Sequence, residues 1–532
     1  MQESFTLIHT AFGSWPMLEY ELDMAQKEID KGNNVLFLIN KHDQILCECK
    51  KKRYCMESHS RTKNGISWVK SGPGKFKVLE YDLINSKQEE ELKNILNKLK
   101  NSDNLKNTLN KIDFLKKVDI YDSAVSTVAT NEAISNPGEV DFKEQILKYI
   151  EIGIKSYYSV INHLKEHNID KIFLYNGRMA RFRPLLRIAQ INNIDIKVYE
   201  YPLLGFMNYI MIDNQYPHDF NNISKELYKY FNSSNLPYRK KVSLGAEWFI
   251  DRVDSSNQVK DILLPKFNER MKTKSMPKNW DRKNFNLVFF VSSEYEVADI
   301  KEVKSTHPYS QKKIVERISS RFPDINIHVR MHPNLEGVEK KFVKEMSNLD
   351  TLKNVNLISS KSSIDSYELM RMADLVLSFG STVGIESAYL KKPVITVGAS
   401  WYTEFGADIN IQTDEELINS IQNAFKDDCS NFPSPEERNI HACEFAFAFK
   451  NFGEKPKYVD RHTFHGGSMV RNDTKYEIKS DFKYILVNRL LDAPNKIISG
   501  LFLVISNRSK LKKIMQNPIK NLFDKFFNSH YH

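Results

Sequence analysis

Apolar and polar positions alternate along this chain in blocks that read as strands and helices in turn. "FTLIHTAF" near the start is a short apolar run, followed by the turn "GSWP". "MLEYELDMAQKEIDKGN" then repeats its apolar residues at helical spacing and stops at Gly32-Asn33, and "NVLFLIN" is a second apolar run. The same strand–helix–strand order returns in "IDKIFLYNG", "RMARFRPLLRIAQINN" and "IDIKVYEY". Such units build parallel sheets. Between the two lie Lys- and Asn-rich helical stretches, "KQEEELKNILNKLKN" and "VDFKEQILKYIEIGIKSYYSVINHLKEHN". Residues 1–240 are therefore expected to form one α/β domain with a helical insertion.

Residues 241–283 read as a helical connector closed by the loop "SMPKNWDRKN". From "FNLVFFVSS" onward the alternation is regular. "SQKKIVERISSRF", "INIHVRMHP", "GVEKKFVKEMSNL", "VNLISS", "SIDSYELMRM", "ADLVLSF", "GIESAYLK" and "PVITVG" predict a second doubly wound domain over 284–431. Residues 432–532 begin with a helix, "PSPEERNIHACEFAFAFKNFG", expected to return to the first domain, and end in a strongly basic tail. The fold class expected is α/β, with two Rossmann-like domains facing a cleft and a C-terminal helical tail.

At 532 residues the chain has room for more than one core, and its net charge of +10 suits an anionic partner. Five cysteines, an odd and sparse set, argue against a disulfide framework. Cys47, Cys49 and Cys55, with His42 and His59 nearby, have no standard zinc spacing, and free thiols are the preferred reading. The N-terminus has no secretory-signal pattern and no segment approaches a membrane span, so a cytoplasmic protein is expected. In the tail, Ile497 to Phe527 should form amphipathic helices carrying Lys510, Lys512, Lys513, Lys520 and Lys525. They either pack on the protein or lie on the inner face of an anionic membrane.

Candidate chemistry gathers where ligands sit in such folds, in the loops after the strands. In the second domain these loops hold Ser292, Ser293 and Glu296, then Arg330 and His332, then Lys361, then Gly380, Ser381 and Thr382 with Glu386 in the helix that follows. A helix opening at Gly-Ser-Thr aims unpaired N–H groups at the cleft, which suits phosphate. Ser381 and Thr382 can also simply cap that helix, and Glu386 can serve its dipole rather than a ribose. Arg330 and His332 alternate along a strand end and share one side. No P-loop, G-x-G-x-x-G, H-E-x-x-H or G-x-S-x-G motif occurs.

Together "FFVSSEYEVADI", "IHVRMHPN" and "SSIDSYELMRMADLVLSFGSTVGIESAYLKKPVITVG" resemble bacterial surface-polysaccharide glycosyltransferases of the GT-B type, above all capsule and lipopolysaccharide biosynthesis proteins. The R-x-H-P element and the Ser-Thr-x-Gly-x-Glu element are also similar to the C-terminal domains of Kdo transferases, bacterial sialyltransferases and polyglycerol-phosphate polymerases. The resemblance covers residues 284–410 best and reaches "HTAFGSWPMLEYELDMAQKEIDKGNNVLFLI" less specifically. It implies a nucleotide-activated sugar donor as substrate and a glycan or lipid-linked glycan acceptor. No cofactor, no metal and no nucleic acid are implied. It implies a donor-phosphate or leaving-group role for His332 and donor contacts from Ser381, Thr382 and Glu386. The acidic-acidic-Gly motif that supplies the sialyltransferase base is absent from the first domain. His9, Glu19, Asn176, Arg178 and Glu200 remain as strand-end candidates there. Glu200 is the first choice for a base, Glu296 a further catalytic candidate, and His9, Asn176 and Arg178 are assigned to the acceptor. Two alternatives stay open: a nucleotide-sugar epimerase of GT-B fold, and a non-catalytic glycan- or nucleotide-binding partner in an export assembly.

Overall fold

The computed structural model describes residues 3–481, apart from 12, 14, 40–51, 81–83, 133, 135–136, 201–207, 254–275, 278–279, 293–299, 301–308, 333–339, 427–428 and 464–465. Ser293, Glu296, Cys47, Cys49 and the basic tail fall outside the described residues.

The first domain is built on strands β1 (Ser4–His9), β2 (Asn34–Ile39), β3 (Phe76–Glu80), β4 (Asn168–Tyr175), β5 (Asp195–Glu200) and β6 (Ile210–Asp213). Their order is β3-β2-β1-β4-β5-β6, parallel throughout except for β6 at the edge. Strands with helices on both faces need apolar side chains on both faces. "VLFLI" meets that condition, because every residue from Val35 to Ile39 is buried. Helix α1 (Met17–Asp30) connects β1 to β2, and α2 (Lys52–Ile66) connects β2 to β3. Among the described residues the insertion between β3 and β4 has helices and no strand. It comprises α3 (Ser86–Lys100), α4 (Leu105–Leu109), α5 (Asp113–Lys117), α6 (Ile120–Glu132) and the long α7 (Glu139–Glu166). Helix α8 (Arg183–Ile191) connects β4 to β5. The apolar spacing predicts that this helix starts at Arg178. It starts at Arg183, with Pro184 in its first turn, because proline fits where no intrahelical N–H is needed. Residues 176–182 are thereby freed to form a strand-end loop.

The second domain repeats the plan. Its strands are β7 (Asn286–Phe290), β8 (Asn326–Arg330), β9 (Val355–Ile358), β10 (Leu375–Ser378), β11 (Val394–Val397) and β12 (Ile409–Ile411). The order β12-β11-β10-β7-β8-β9 is again the doubly wound one, with the switch point between β7 and β10. Two separate Rossmann-like sheets are thus present, as the alternating halves of the sequence predict.

The boundary expected at residue 240 does not match the packing. Helix α9 (Phe220–Ser233) buries Ile223, Leu227 and Phe231 in the same cluster as Tyr402 and Phe405 of the second domain. Helix α10 (Tyr238–Val253) adds Trp248 and Phe249, and Phe249 stacks on Tyr389 at 4.2 Å. A later helix over Pro435–Asn451 completes the cluster through Phe445 and Phe447. At their crossing, a Cβ on Gly245 would stand 1.8 Å from the carbonyl oxygen of Cys443, so only glycine permits this approach.

After that helix the chain lies against the first domain. Tyr209 and Glu454 exchange backbone hydrogen bonds of 3.0 and 2.9 Å. The N–H groups of Lys457 and Tyr458 donate to Asp23 at 2.7 and 2.6 Å. A three-stranded antiparallel sheet follows, β13 (Val459–Thr463), β14 (Gly466–Arg471) and β15 (Thr474–Tyr476). The Arg471 guanidinium covers the Trp68 ring at 4.5 Å. No helix among the described residues is long and apolar enough to cross a membrane.

Candidate functional site

In the second sheet, Ser378 and Arg330 both pair with Phe290, so the ends of β10, β7 and β8 stand in one row. Thr396 and Ile358 extend that row on either side. Adjacent strands are about 4.8 Å apart, so the loops after β8 and β10 open about 10 Å from each other.

The loop after β10 is a tight turn into helix α14, which spans Thr382–Tyr389; helices Gln311–Arg321 (α11), Lys340–Ser347 (α12) and Ser366–Met372 (α13) precede it. Gly380 has φ +66°, a left-handed conformation that suits glycine, and a Cβ there would lie 2.9 Å from the Ala399 carbonyl oxygen. Ser381 is the N-cap and its Oγ accepts from the Val383 N–H at 3.5 Å. Its carbonyl accepts from the Tyr402 hydroxyl at 2.9 Å and from the Gly384 N–H at 3.0 Å. Gly384 has no alternative, since a Cβ would sit 2.2 Å from the Tyr402 hydroxyl. Behind Tyr402, Thr396 Oγ1 lies 3.3 Å from that hydroxyl. Burial pushes the neighbouring Asp408 carboxyl up to about 7. Tyr402, backed by Thr396, thus braces the turn from below, and neither spacing nor periodicity in the sequence marks them.

The structure revises two donor contacts. Arg330 is only 3 % exposed. Its guanidinium donates to the carbonyls of Ser359 at 2.6 Å and Ser362 at 3.4 Å, which fixes the loop after β9 rather than presenting the charge to a phosphate. Glu386 is also 3 % exposed, one helical turn inward from Thr382, and offers no surface to a ribose. Ser381 and Thr382 stay partly exposed, as does His332. Burial, with the Arg330 charge adding to it, holds the His332 imidazole down at about 4, so it is neutral at pH 7. The backbone of Ser292 is clamped by the buried Gln311 side chain through two contacts of 2.9 Å. Lys361 is exposed, its N–H donating to Ser359 Oγ at 3.2 Å.

At the corresponding edge of the first sheet, Asn176 adopts φ 58° and Gly177 φ 77°, turning the chain sharply out of β4. That turn lets Asn176 Nδ2 donate to Glu200 Oε2 at 2.8 Å. These two expected site residues meet. His9 does not join them: it is fully buried, edge-on to Phe182 at 5.3 Å, with burial and the Arg181 charge keeping it neutral. The acceptor role expected of His9 therefore has no exposed surface to act through. Arg178 is buried as well. Glu19 is a buried ion-pair partner of Arg61. Sequence reasoning overlooked Arg181, whose guanidinium donates to the carbonyls of Thr10 and Ala11. It also overlooked Glu21, which accepts from the Ala11 N–H at 2.6 Å and from the Tyr199 hydroxyl at 2.5 Å. The cluster R-x-x-R-x-R at 178–183 is a signal for such a basic strand-end loop, visible once Pro184 is read as the helix start.

The two edges are tied by one short segment. The Arg183 guanidinium lies over the Tyr216 ring at 5.6 Å. Burial first, and then the Arg178 charge, pull the His218 imidazole down to about 3. Two residues further on, the Phe220 ring is 3.8 Å from where a Gly380 Cβ would be. Two residues span about 7 Å at most. Segment 216–220 thus runs from the Arg178 and Arg183 side of the first sheet to the Gly380 turn of the second.

Comparison with known proteins gives three results. Chains of solved structures align over much of the length at low identity. One is the beta Kdo 2,4 transferase KpsC of Thermosulfurimonas dismutans, at 11 % identity over 60 % of this chain and 87 % of that one, TM-score 0.34. Another is Anabaena Alr3699/HepE in complex with UDP and glucose, at 11 % identity over 85 % and 96 %, TM-score 0.26. A third is the UDP-GlcNAc 2-epimerase of Neisseria meningitidis, at 12 % identity over 93 % and 100 %, TM-score 0.27. No curated protein matches by sequence. Residues 215–424, which include the His332 and Gly380–Thr382 loops, match the model of the capsule polysaccharide biosynthesis protein family.

Proposed function

We propose that this protein is a glycosyltransferase of capsule biosynthesis that moves a sugar from a nucleotide-activated donor to a surface-polysaccharide acceptor, without a metal at the reacting centre. The observation that supports the reading is the segment 216–220, in which His218 feels the Arg178 charge from the first-sheet loop and Phe220 lies against the Gly380 turn of the second. The turn and the first N–H groups of α14 would hold the donor phosphates. His332, neutral and partly exposed, would donate a hydrogen bond to the phosphate oxygen that gains charge as the glycosidic bond breaks. Glu200, oriented by Asn176, would take the proton of the attacking acceptor hydroxyl.

Incubation of the full chain with UDP-, GDP-, CMP- and CDP-activated sugars and a capsule oligosaccharide should release one nucleotide in step with product. Nucleotide binding without release under any pairing would leave a binding protein. Interconversion of the sugar without acceptor would make it an epimerase. The five lysines between 510 and 525 extend the reading to an anionic membrane surface. The full chain should co-sediment with anionic vesicles and lose this on adding salt. A chain ending at Asp492 that sediments equally well would remove the tail from the proposal.

A further inference from the structure

The C-terminus of α7 carries a cluster that glycosyl transfer does not use. The helix closes with the residues His163-Leu-Lys-Glu166-His167. His163 and Glu166 are one turn apart on the last turn of α7, and His167 is its extended C-cap. One ligand atom from each of His163, Glu166 and His167 lies within 4.8 Å of the other two. The two rings are parallel to within 13°, with centroids 6.5 Å apart. His163 is 2 % exposed, His167 is half-buried and Glu166 is exposed, so the set opens from the protein body toward solvent. His167 is further fixed by the Phe5 ring at 5.8 Å and by its own N–H, which donates to the His163 carbonyl at 2.9 Å.

We propose that His163, Glu166 and His167 form a binding site for a divalent transition-metal ion of the zinc, cobalt and nickel group. Two imidazoles and one carboxylate are the donor set such ions take, with water completing a tetrahedron. The free carbonyls of a helix C-terminus carry negative partial charge, which favours a cation there. In H-x-x-E-H zinc helices the glutamate acts as a base in a catalytic cleft. Here all three groups converge and Glu166 is itself a ligand. The cluster sits where α7 enters β4, at the end of the strands opposite Asn176 and Glu200. All three groups lie within one five-residue segment, so an ion there would fix the junction of α7 with β4, a structural role.

The test uses the full chain stripped with chelator and titrated with zinc or cobalt salts alone. The wild type should take up one equivalent at this site. Cobalt should show visible d–d bands without the charge-transfer band that thiolate ligation gives, and unfolding should shift to higher temperature. Both His167→Ala and Glu166→Gln replace groups that are not fully buried, so they should fold, and each should weaken binding by about tenfold or more. A chain with Cys47, Cys49 and Cys55 all changed to serine should keep the site. No stoichiometric uptake by the wild type, uptake unchanged in both variants, or loss only in the cysteine variant would overturn the proposal.

Discussion

His332→Ala should lower turnover by roughly 10²-fold while the fold and the affinity for free nucleotide change little. The neutral imidazole lies two residues past the end of β8, near the Arg330 charge, and β8 ends in the same row of strands as β10, which leads into the Ser381 turn. A hydrogen bond strengthened only as the leaving phosphate gains charge acts on kcat rather than on ground-state binding. His332→Gln, which keeps a donor at similar reach, should recover part of the loss. The imidazole titrates at about 4, so its protonation should leave the rate flat from about pH 5 to 8. Turnover unchanged in His332→Ala, with unfolding temperature preserved, would return His332 to a packing role and leave the leaving group to the helix N–H groups.

The second large effect concerns Glu21 and stability against pH. Glu21 is fully buried on α1, and burial pushes its carboxyl from 4.5 up to about 8, outweighing the hydrogen bonds from Tyr199 and Ala11 and the Arg181 charge. Burial likewise raises Asp23 to about 6 and Asp408 to about 7. At pH 6 the folded chain keeps a proton on Glu21 that the unfolded chain has released. The folded state binds more protons, so unfolding free energy falls as pH rises. For Glu21 the fall begins near the unfolded value of 4.5 and is complete above about 8. At about 1.4 kcal/mol per unit, the difference is on the order of 5 kcal/mol. Glu21→Gln keeps a carbonyl oxygen that accepts from Ala11 and Tyr199 but cannot ionise. Its unfolding temperature should match the wild type near pH 5 and exceed it increasingly toward pH 8.5. Parallel curves for the two chains would mean that Glu21 is ionised in the fold, balanced by Arg181.

The same residues separate what one dimension carries from what needs three. Apolar runs such as "NVLFLI" and "NLVFF" must be covered on both faces, so strand identity, the alternation of strands with helices, and two doubly wound sheets follow from the sequence directly. The Gly380–Ser381–Thr382 turn is legible too, because glycine conformation and N-capping are local properties. Pairing distance is not local. Glu200 meets Asn176 only because β4 and β5 are neighbours, and Tyr402 meets Ser381 only because β11 returns beside β10. Burial is not local either: Arg330, Glu386 and His9 have the residue types of a ligand site, and packing alone closes them off from solvent. The domain boundary belongs to the same class. The amphipathic pattern of α9 states that one face must be covered, but Tyr402, Phe405, Phe445 and Phe447, contributed from about 180 to 220 residues away, decide that the second domain covers it. Sequence by itself determined the elements and the local turns of this protein. Tertiary structure decided which polar side chains face a ligand, because exposure and pairing arise only when segments distant in the chain compete for the same space.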